Sequence, residues 1–115
     1  MENSKLQKML EAHKLWIDSD KKQGEQANFC GADLRGVDFC EVDLSEAIFY
    51  GCDLRGCDFY RARLCEADFR ESDLRGANFR GSDLRGVDFC GSDILEANFC
   101  EADFYKANIY GANFR

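Results

Sequence analysis

From Ala27 onward, the sequence repeats every five residues without an insertion or a deletion. Each pentapeptide contains a small residue, then Asp or Asn, then Phe, Leu or Ile, and then two variable residues; only Ile48 and Arg63 replace the Asp or Asn. On an α-helix, where each residue advances ~100°, large apolar groups at this spacing would point in all directions. On a straight strand, they would alternate between the two faces. The period therefore excludes both regular structures for residues 27–115.

The spacing within each pentapeptide predicts a chain that turns at regular intervals. The small residue and the large apolar residue are two positions apart, so an extended segment points both side chains the same way. The other two residues must redirect the chain, and the second of them is glycine in nine repeats, which suits a positive φ. The sequence therefore predicts a solenoid that buries one small and one large side chain on each side.

The identity of the large apolar residue predicts the number of sides in each coil. Phe occupies every second repeat from Phe29 to Phe99, and Leu or Ile occupies the repeats between them. Three sides would stack each Phe on a Leu, whereas four sides stack Phe on Phe and Leu on Leu. The alternation therefore favours four sides, with Phe columns on two opposite walls.

These repeats resemble the pentapeptide-repeat proteins, whose motif is a small residue, Asp or Asn, Leu or Phe, and two free positions. The resemblance covers residues 27–115, which contain seventeen complete repeats and a final fragment. It implies an all-β solenoid, a right-handed quadrilateral parallel β-helix of about four and a half coils with a short N-terminal α-helical cap.

Residues 1–26 are predicted to form that capping helix and a linker. Within residues 4–18, one helical face collects apolar side chains and a histidine at spacings of three and four, and Ser4 with Gln7 resembles a capping box. This face is expected to cover the first coil as a lid, and its His and Trp also match a leader helix seen in bacterial relatives. Its members are Leu6, Met9, Leu10, His13, Trp16 and Ile17.

The other end of the repeat run is aromatic and stops within a repeat at Arg115. Two explanations compete: this end meets a second copy of the chain, or the natural protein continues. Family members that pair through their C-terminal coils raise the first, a homodimer. The residues at this candidate dimer end are Tyr105, Ile109, Tyr110 and Phe114.

Charge and composition exclude several classes of partner. The formal net charge is −7, and because residues 1–26 contain five acids and five bases, all of it lies on residues 27–115. Such a body does not favour direct nucleic-acid binding, which needs clustered Lys and Arg. The chain has no apolar run long enough for a membrane span and no signal-peptide pattern. Seven cysteines without a secretion signal predict reduced thiols and a cytoplasmic protein.

The sequence predicts neither catalysis nor a cofactor nor a metal. His13, the one histidine, lies on the apolar face of the helix, where packing is expected, and no glycine-rich phosphate loop precedes a helix. Cys52 and Cys57 occupy the small inward position and are expected in the core. The five outward cysteines lack the close C-x-x-C spacing of a zinc site, and the pairs stacked three coils apart are beyond disulfide reach. The outward cysteines are Cys30, Cys40, Cys65, Cys90 and Cys100.

Two outward patterns are candidate interaction surfaces. The first is a column of Asp beside a column of Arg, and it has two interpretations: a surface that tolerates its own repetition, or an acidic ruler such as relatives that inhibit or protect DNA gyrase are thought to use. Its residues are Asp33, Asp53, Asp73 and Asp93, beside Arg35, Arg55, Arg75 and Arg115. The second pattern is aromatic: Tyr50 and Tyr60 point outward, and Ile48 replaces the usual Asp beside Tyr50.

Together these features predict a non-enzymatic, rigid structural or protein-interaction scaffold with an unidentified protein partner. The alternative is a DNA-mimicking inhibitor or protector of a type II topoisomerase.

Overall fold

The computed structural model describes residues 1–114, which form one α-helix followed by a stack of coils. Helix α1 spans Asn3–Asp18. After a short linker, the first repeat begins at Ala27, and the coils continue to Phe114. Within these residues, α1 is the one helix, and it is neither long nor apolar enough to cross a membrane.

Parallel backbone bridges join residues twenty positions apart, from Asn28 and Ile48 to Asp93 and Asn113. Each coil therefore contains four pentapeptides, which confirms the four sides predicted from the Phe alternation. We number the sides by their first repeats: side 1 begins with residues 27–31, side 2 with 32–36, side 3 with 37–41 and side 4 with 42–46. Each side continues in steps of twenty residues.

In each repeat, one residue forms the bridge, at the position of the Asp or Asn. Among residues 1–114, the structure has no strand longer than such a single bridge residue. The reason is the length of a side: three residues are extended before the next turn begins, so adjacent coils exchange few hydrogen bonds per side. Phe29 N–H donates to Ile48 O at 2.8 Å, and Ile48 N–H donates to Ala27 O at 3.0 Å. The coils are thus parallel and β-bridged, while the right-handed winding stays a prediction.

The corners are tight turns with a positive φ at the fifth position of every repeat. In the first corner, Ala32 N–H donates to Phe29 O at 2.8 Å, and Gly31 has a φ of 72°. One positive φ, at the third turn residue, is the pattern of a type II turn. Eight corners place a non-glycine residue in this region, with φ between 53° and 63°: Glu41, Glu46, Arg61, Glu66, Glu71, Glu96, Glu101 and Lys106.

The Asp or Asn of each repeat has a structural function at these corners. Its side-chain oxygen accepts a hydrogen bond from the backbone N–H two residues later, as in Asn28 Oδ1 with Cys30 N at 3.0 Å. This local bond is an Asx turn. It occurs at all fifteen Asp or Asn positions between residues 28 and 108. The recurrence of Asp and Asn therefore follows from turn geometry.

The interior is filled by stacked aromatic rings, as the alternation predicts. On side 1, Phe49 and Phe69 stack at 4.8 Å with 3° between their planes; on side 3, Phe59 and Phe79 stack at 4.9 Å. The two columns meet edge to face across the interior, with Phe69 and Phe79 at 5.8 Å and 87°. Because these rings have no solvent-accessible surface, the coil stack has a dry aromatic centre.

Helix α1 covers the open end of the first coil. Leu6 is buried there, and Met9 and Leu10 pack against the core. The capping box was a wrong prediction: the helix begins at Asn3, so Ser4 lies inside it, and Ser4 Oγ donates to Glu2 Oε1 at 2.8 Å. Trp16 was also predicted to cover the first coil, but it is not among the side chains that pack against the core.

Trp16 is only half-buried; its ring centroid lies 5.4 Å from that of His13 and 5.2 Å from Lys21 Nζ. The linker turns beneath it. Gly24 has a φ of 73°, and a Cβ there would overlap Ala12 O and Trp16 N. Glycine is therefore required where the linker passes the helix.

Candidate interaction surface

The negative charge of the repeat body is spread evenly around the coil. Over residues 27–114, side 1 has three acids and one base, and side 3 has four acids and two bases. Sides 2 and 4 each have five acids and three bases. Each side therefore has a net charge of −2, and no side becomes an acidic wall.

Three of the four Asp residues in the side 2 column are each paired with an Arg of the same repeat. Arg35 Nε and Nη2 donate to both carboxylate oxygens of Asp33 at 2.9 and 2.8 Å, and the next coils repeat this pairing. Each Arg also approaches the Asp one coil further on, as in Arg35 Nε with Asp53 at 3.7 Å. The hydrogen bonds from Arg35 lower the pKa of Asp33 to about 2. Leu95 ends the Arg column, and Arg115 lies outside the described residues.

These contacts support the first interpretation of the column. Asp33, Asp53 and Asp73 each cap a turn and each pair with an Arg, so their charges are compensated locally. Asp93 caps the turn at Leu95 and accepts a hydrogen bond from Asn113 Nδ2 at 3.3 Å. Stacked like charges repel, and alternation of Asp with Arg removes that repulsion.

Ile48 and Tyr50 form a local apolar patch on side 1. Tyr50 is 41% exposed and Ile48 is half-buried. The Arg70 guanidinium lies over the Tyr50 ring at 5.2 Å and is itself held by Asp68 at 2.9 and 2.8 Å. Around this patch, the side 1 repeats at 27–31 and 47–51 contain no charged residue. The lower half of side 1 therefore has no charged residue of its own, and the pair of Arg70 and Asp68 in the next repeat of side 1 borders the patch.

Ile48 interrupts the turn geometry that the other repeats share. Because isoleucine has no acceptor oxygen, the N–H of Tyr50 makes no hydrogen bond within residues 1–114. Arg63 has the same effect at Cys65 on side 4. Both substitutions are evident in the sequence, but this consequence is not, since the capping bond becomes visible only once the turn is known.

The other predicted contact residues lie elsewhere on the stack. Tyr60 is on side 3, opposite Tyr50, and is half-buried with Arg61 over its ring at 5.3 Å. The two tyrosines therefore do not form one patch. The residues of the predicted dimer end cluster in the last repeats, where they are 46–79% exposed: Tyr105, Ile109, Tyr110 and Phe114.

The seven cysteines are free thiols. Cys52 and Cys57 are buried as predicted, and they donate to the carbonyl oxygens of Phe29 and Leu34 at 2.9 and 2.8 Å. Burial raises the pKa of Cys52 to about 11 and that of Cys57 to about 12. Thiols with such pKa values are poor nucleophiles at neutral pH.

One group of side chains within residues 1–114 brings potential metal ligands together. Ligand atoms of Asp38, Cys40 and Asp58 lie within 4.8 Å of one another on side 3. A hydrogen bond with Asp38 raises the pKa of Cys40 to about 12, which keeps the thiol protonated and opposes metal binding. Asp38 and Asp58 are stacked turn caps, so their proximity follows from the repeat.

His13 has its two nitrogens committed to structure. Ala27 N–H donates to Nδ1 at 2.9 Å, and Nε2 lies 2.9 Å from Ser45 O. Because Nδ1 accepts, Nε2 must carry the proton and donate to Ser45 O. The ring is fully buried, and burial lowers the pKa of His13 below its ordinary value of 6.5. This is the packing histidine that the sequence predicts, tied to the junction between linker and first coil.

Comparison with known proteins assigns these features to a family. A family model described as a pentapeptide repeat region matches residues 25–99, about two thirds of the chain. The chain belongs to the pentapeptide-repeat family. A search of curated proteins finds no match.

Solved structures of pentapeptide-repeat proteins are similar to this chain. One from the Arabidopsis thaliana thylakoid lumen is 34% identical, with a TM-score of 0.73, over 75% of this chain and 60% of that one. One from Nostoc PCC 7120 is 18% identical, with a TM-score of 0.60, over 91% and 93%. HetL, involved in heterocyst differentiation regulation in Nostoc sp. strain PCC 7120, is 23% identical, with a TM-score of 0.50, over 76% and 44%. The chain thus spans about 60% of the first relative and under half of HetL.

Proposed function

We propose that this pentapeptide-repeat protein is a non-enzymatic, rigid scaffold that binds another protein, wound as a right-handed quadrilateral β-helix in the cytoplasm. The single observation that carries the proposal is the patch of Ile48 and Tyr50. Ile48 removes a turn cap that fifteen other repeats keep, and it places an apolar side chain beside an exposed aromatic ring. A hydrogen bond of this kind contributes roughly 0.5–1.5 kcal/mol, so the patch has a stability cost that a contact surface would explain.

The stacked core supports a rigid scaffold. Its aromatic columns run without interruption from Phe29 to Phe99, and every coil is bonded to the next one. A surface on such a stack keeps a fixed spacing between its side chains.

The DNA-mimicking alternative has less support. It needs one strongly acidic wall, and here the four sides carry equal net charge, with the side 2 carboxylates paired to Arg. In addition, the middle coils at 47–66 and 67–86 each contain equal numbers of acids and bases. Charge along the stack is therefore concentrated in the first and fourth coils.

A pair of matched variants tests the scaffold function. Ile48→Asn and Arg63→Asn both restore a turn cap, so both are expected to unfold at the same or a higher urea concentration than the wild type. The wild-type protein is immobilised and exposed to an extract of the source organism, and the proteins that it retains are identified by mass spectrometry. We expect one partner to be retained by the wild type and Arg63→Asn and lost with Ile48→Asn, because only Ile48 lies in the patch.

Two results would contradict this function. One is that no protein is retained, or that retention is the same for both variants. The other comes from purified gyrase: inhibition of supercoiling or protection from a quinolone at low micromolar protein would support the DNA-mimicking alternative instead.

We also propose that the exposed aromatic end pairs with a second copy of the chain. Residues 87–106, just below it, contain five acids and one base, so two such ends repel each other. Because salt screens this repulsion, the dimer fraction is expected to increase between low and high salt. Light scattering after gel filtration measures it, with Tyr110→Asp as the variant expected to be monomeric. A mass of one chain in every condition would refute the pairing.

A further inference from the structure

A groove separates helix α1 from the lower edge of side 1. Its volume is about 470 Å³, and it is lined on one wall by Lys5, Lys8, Met9 and Ala12 of the helix. The opposite wall is the first repeat, including Asn28. Since Asn28 is bridged to Ile48, the groove lies one coil below the patch of Ile48 and Tyr50. We call this space groove 1.

The backbone in groove 1 is open for pairing. In every later coil, the N–H and C=O of the Asp or Asn position bond to the coil below. The N–H and C=O of Asn28 make no hydrogen bond within residues 1–114. On the same edge, Asp33 O accepts from the amino group of Met1 at 2.9 Å, while the backbone N–H and C=O of Asp38 and Asp43 are, like those of Asn28, without a partner within residues 1–114. Groove 1 therefore presents a donor and an acceptor in the orientation that an added extended segment uses. Charge distinguishes groove 1 from the positions of Asp38 and Asp43.

The charge in groove 1 is opposite to that of the rest of the stack. Lys5 and Lys8 are exposed and form no ion pair within residues 1–114, and Glu25 is the one acid in the lining. The lower half of side 1 adds no charge of its own. Lysines at positions i and i+3 lie on one face of a helix, with Cβ atoms about 5–6 Å apart.

A second groove on the other side of α1 provides the contrast. Groove 2 is lined by four acids and two bases, and both bases are paired: Lys14 with Asp18 at 2.6 Å and Arg63 with Asp43 at 3.7 Å. Groove 2 is thus acidic with its cations occupied, whereas groove 1 is basic with its cations free. An acidic ligand is attracted to groove 1 and repelled by groove 2.

We propose that groove 1 binds an extended acidic peptide segment of the partner protein, which pairs with Asn28 and presents two carboxylates to Lys5 and Lys8. In an extended segment, side chains two residues apart point the same way and are about 6.6 Å apart. This spacing is close to the ~5–6 Å expected between the Cβ atoms of Lys5 and Lys8, so the recognised pattern is acidic-x-acidic. The inference rests on the proposed scaffold function, because it assigns a chemical class to the partner of side 1.

Labelled peptides test the groove directly by fluorescence anisotropy. Three acetylated and amidated eight-residue peptides have the same composition, with Val and Thr around two Glu residues that are adjacent, one apart or two apart. We expect the Glu-x-Glu peptide to bind tightest. The Lys5→Glu/Lys8→Glu variant should weaken its binding roughly tenfold or more, whereas Lys22→Glu, an exposed lysine outside both grooves, should change it less than about twofold.

A second measurement separates strand pairing from attraction between charges. On titration of ¹⁵N-labelled protein with the Glu-x-Glu peptide, the NMR signal of the Asn28 backbone amide should shift, and this amide should become protected from hydrogen exchange. N-methylation of the peptide residue opposite Asn28 should weaken binding. Equal affinity for the three spacings, or an unchanged Asn28 amide, would overturn the proposal. If the peptides fail while Ile48→Asn still removes the retained partner, only groove 1 is refuted and the scaffold function stands.

Discussion

Replacing Phe69 with alanine is expected to reduce the free energy of unfolding by about 3–5 kcal/mol, the range for a large aromatic side chain truncated in a well-packed core. Phe69 is fully buried at the middle of the stack. Its ring lies 4.8 Å from Phe49 and 5.5 Å from Phe89 in its own column, and 5.6 Å from Phe59 and 5.8 Å from Phe79 in the opposite column.

The rigid surroundings explain why the loss should lie in this range. The rings above and below Phe69 are held by coils that are bonded at fixed spacing, so they cannot move together to close the cavity. Urea unfolding at pH 7 measures the effect, and a lower midpoint with an unchanged m-value identifies a loss of stability. Leu15→Ala, at a side chain that is 46% exposed on α1 and lies in none of the proposed contact surfaces, is the control and should change stability by less than about 0.5 kcal/mol. A loss below ~1 kcal/mol for Phe69→Ala would contradict a dry aromatic centre.

The coil architecture could be predicted from the sequence because one strict period controls it. The five-residue spacing excludes a uniform helix or strand, and the alternation of Phe with Leu selects twenty residues per coil. The structure bears out both inferences through bridges such as Asp53 with Asp73 and through the stacked rings. The resemblance to the family added the handedness, which the period itself does not contain.

The hydrogen bonds of the corners were harder to predict. Glycine at nine corners indicates a positive φ, but Glu, Arg or Lys adopts the same conformation at the other eight, where the neighbouring coils and the turn fix the backbone. Likewise, the sequence shows Asp or Asn as the second residue of nearly every repeat, but it does not show that this side chain bonds to the backbone N–H two residues later. The meaning of Ile48 depends on that bond.

The N-terminal cap was predicted in outline and missed in detail. Apolar spacing identified the helix and its buried face, since that pattern depends only on helix geometry. The helix start was wrong because Glu2 occupies the cap position, where no side-chain cap forms. Groove 1 could not be predicted, because it depends on how α1 crosses the first coil and on which side of the helix Lys5 and Lys8 then lie.

The second large effect is expected at His13, which joins the cap to the coil stack. In His13→Ala, the buried Ala27 N–H and the partly buried Ser45 O lose their partners, and a buried group left unpaired costs about 1–3 kcal/mol. His13→Gln is the matched variant, because a glutamine amide can accept with its oxygen and donate with its nitrogen. Urea unfolding at pH 7 should therefore show a large loss for His13→Ala and a smaller one for His13→Gln.

Protonation of His13 should have a similar effect in the wild-type protein. A proton on Nδ1 would face the N–H of Ala27, so the folded state holds the neutral ring, and burial lowers the pKa of His13 against opposing effects of the Ser45 hydrogen bond, Asp43 and Glu46. The unfolded chain, with the ordinary pKa of 6.5, then binds more protons below that pH. Stability is complete above pH 6.5 and is lost as the pH falls through the lowered pKa.

This pH dependence can be assigned to one group. His13 is the one histidine, and the Arg-paired carboxyls Asp33 and Asp83, with pKa values of about 2, remain charged throughout the interval from pH 7 to 5. Urea unfolding at half-unit steps should thus show a falling free energy of unfolding for the wild type and a nearly flat line for His13→Gln. Parallel slopes for the two proteins would mean that His13 is not the titrating group. Because the lid covers the first coil through this ring, the loss should appear first as exchange at the amides of Ala27 and Phe29.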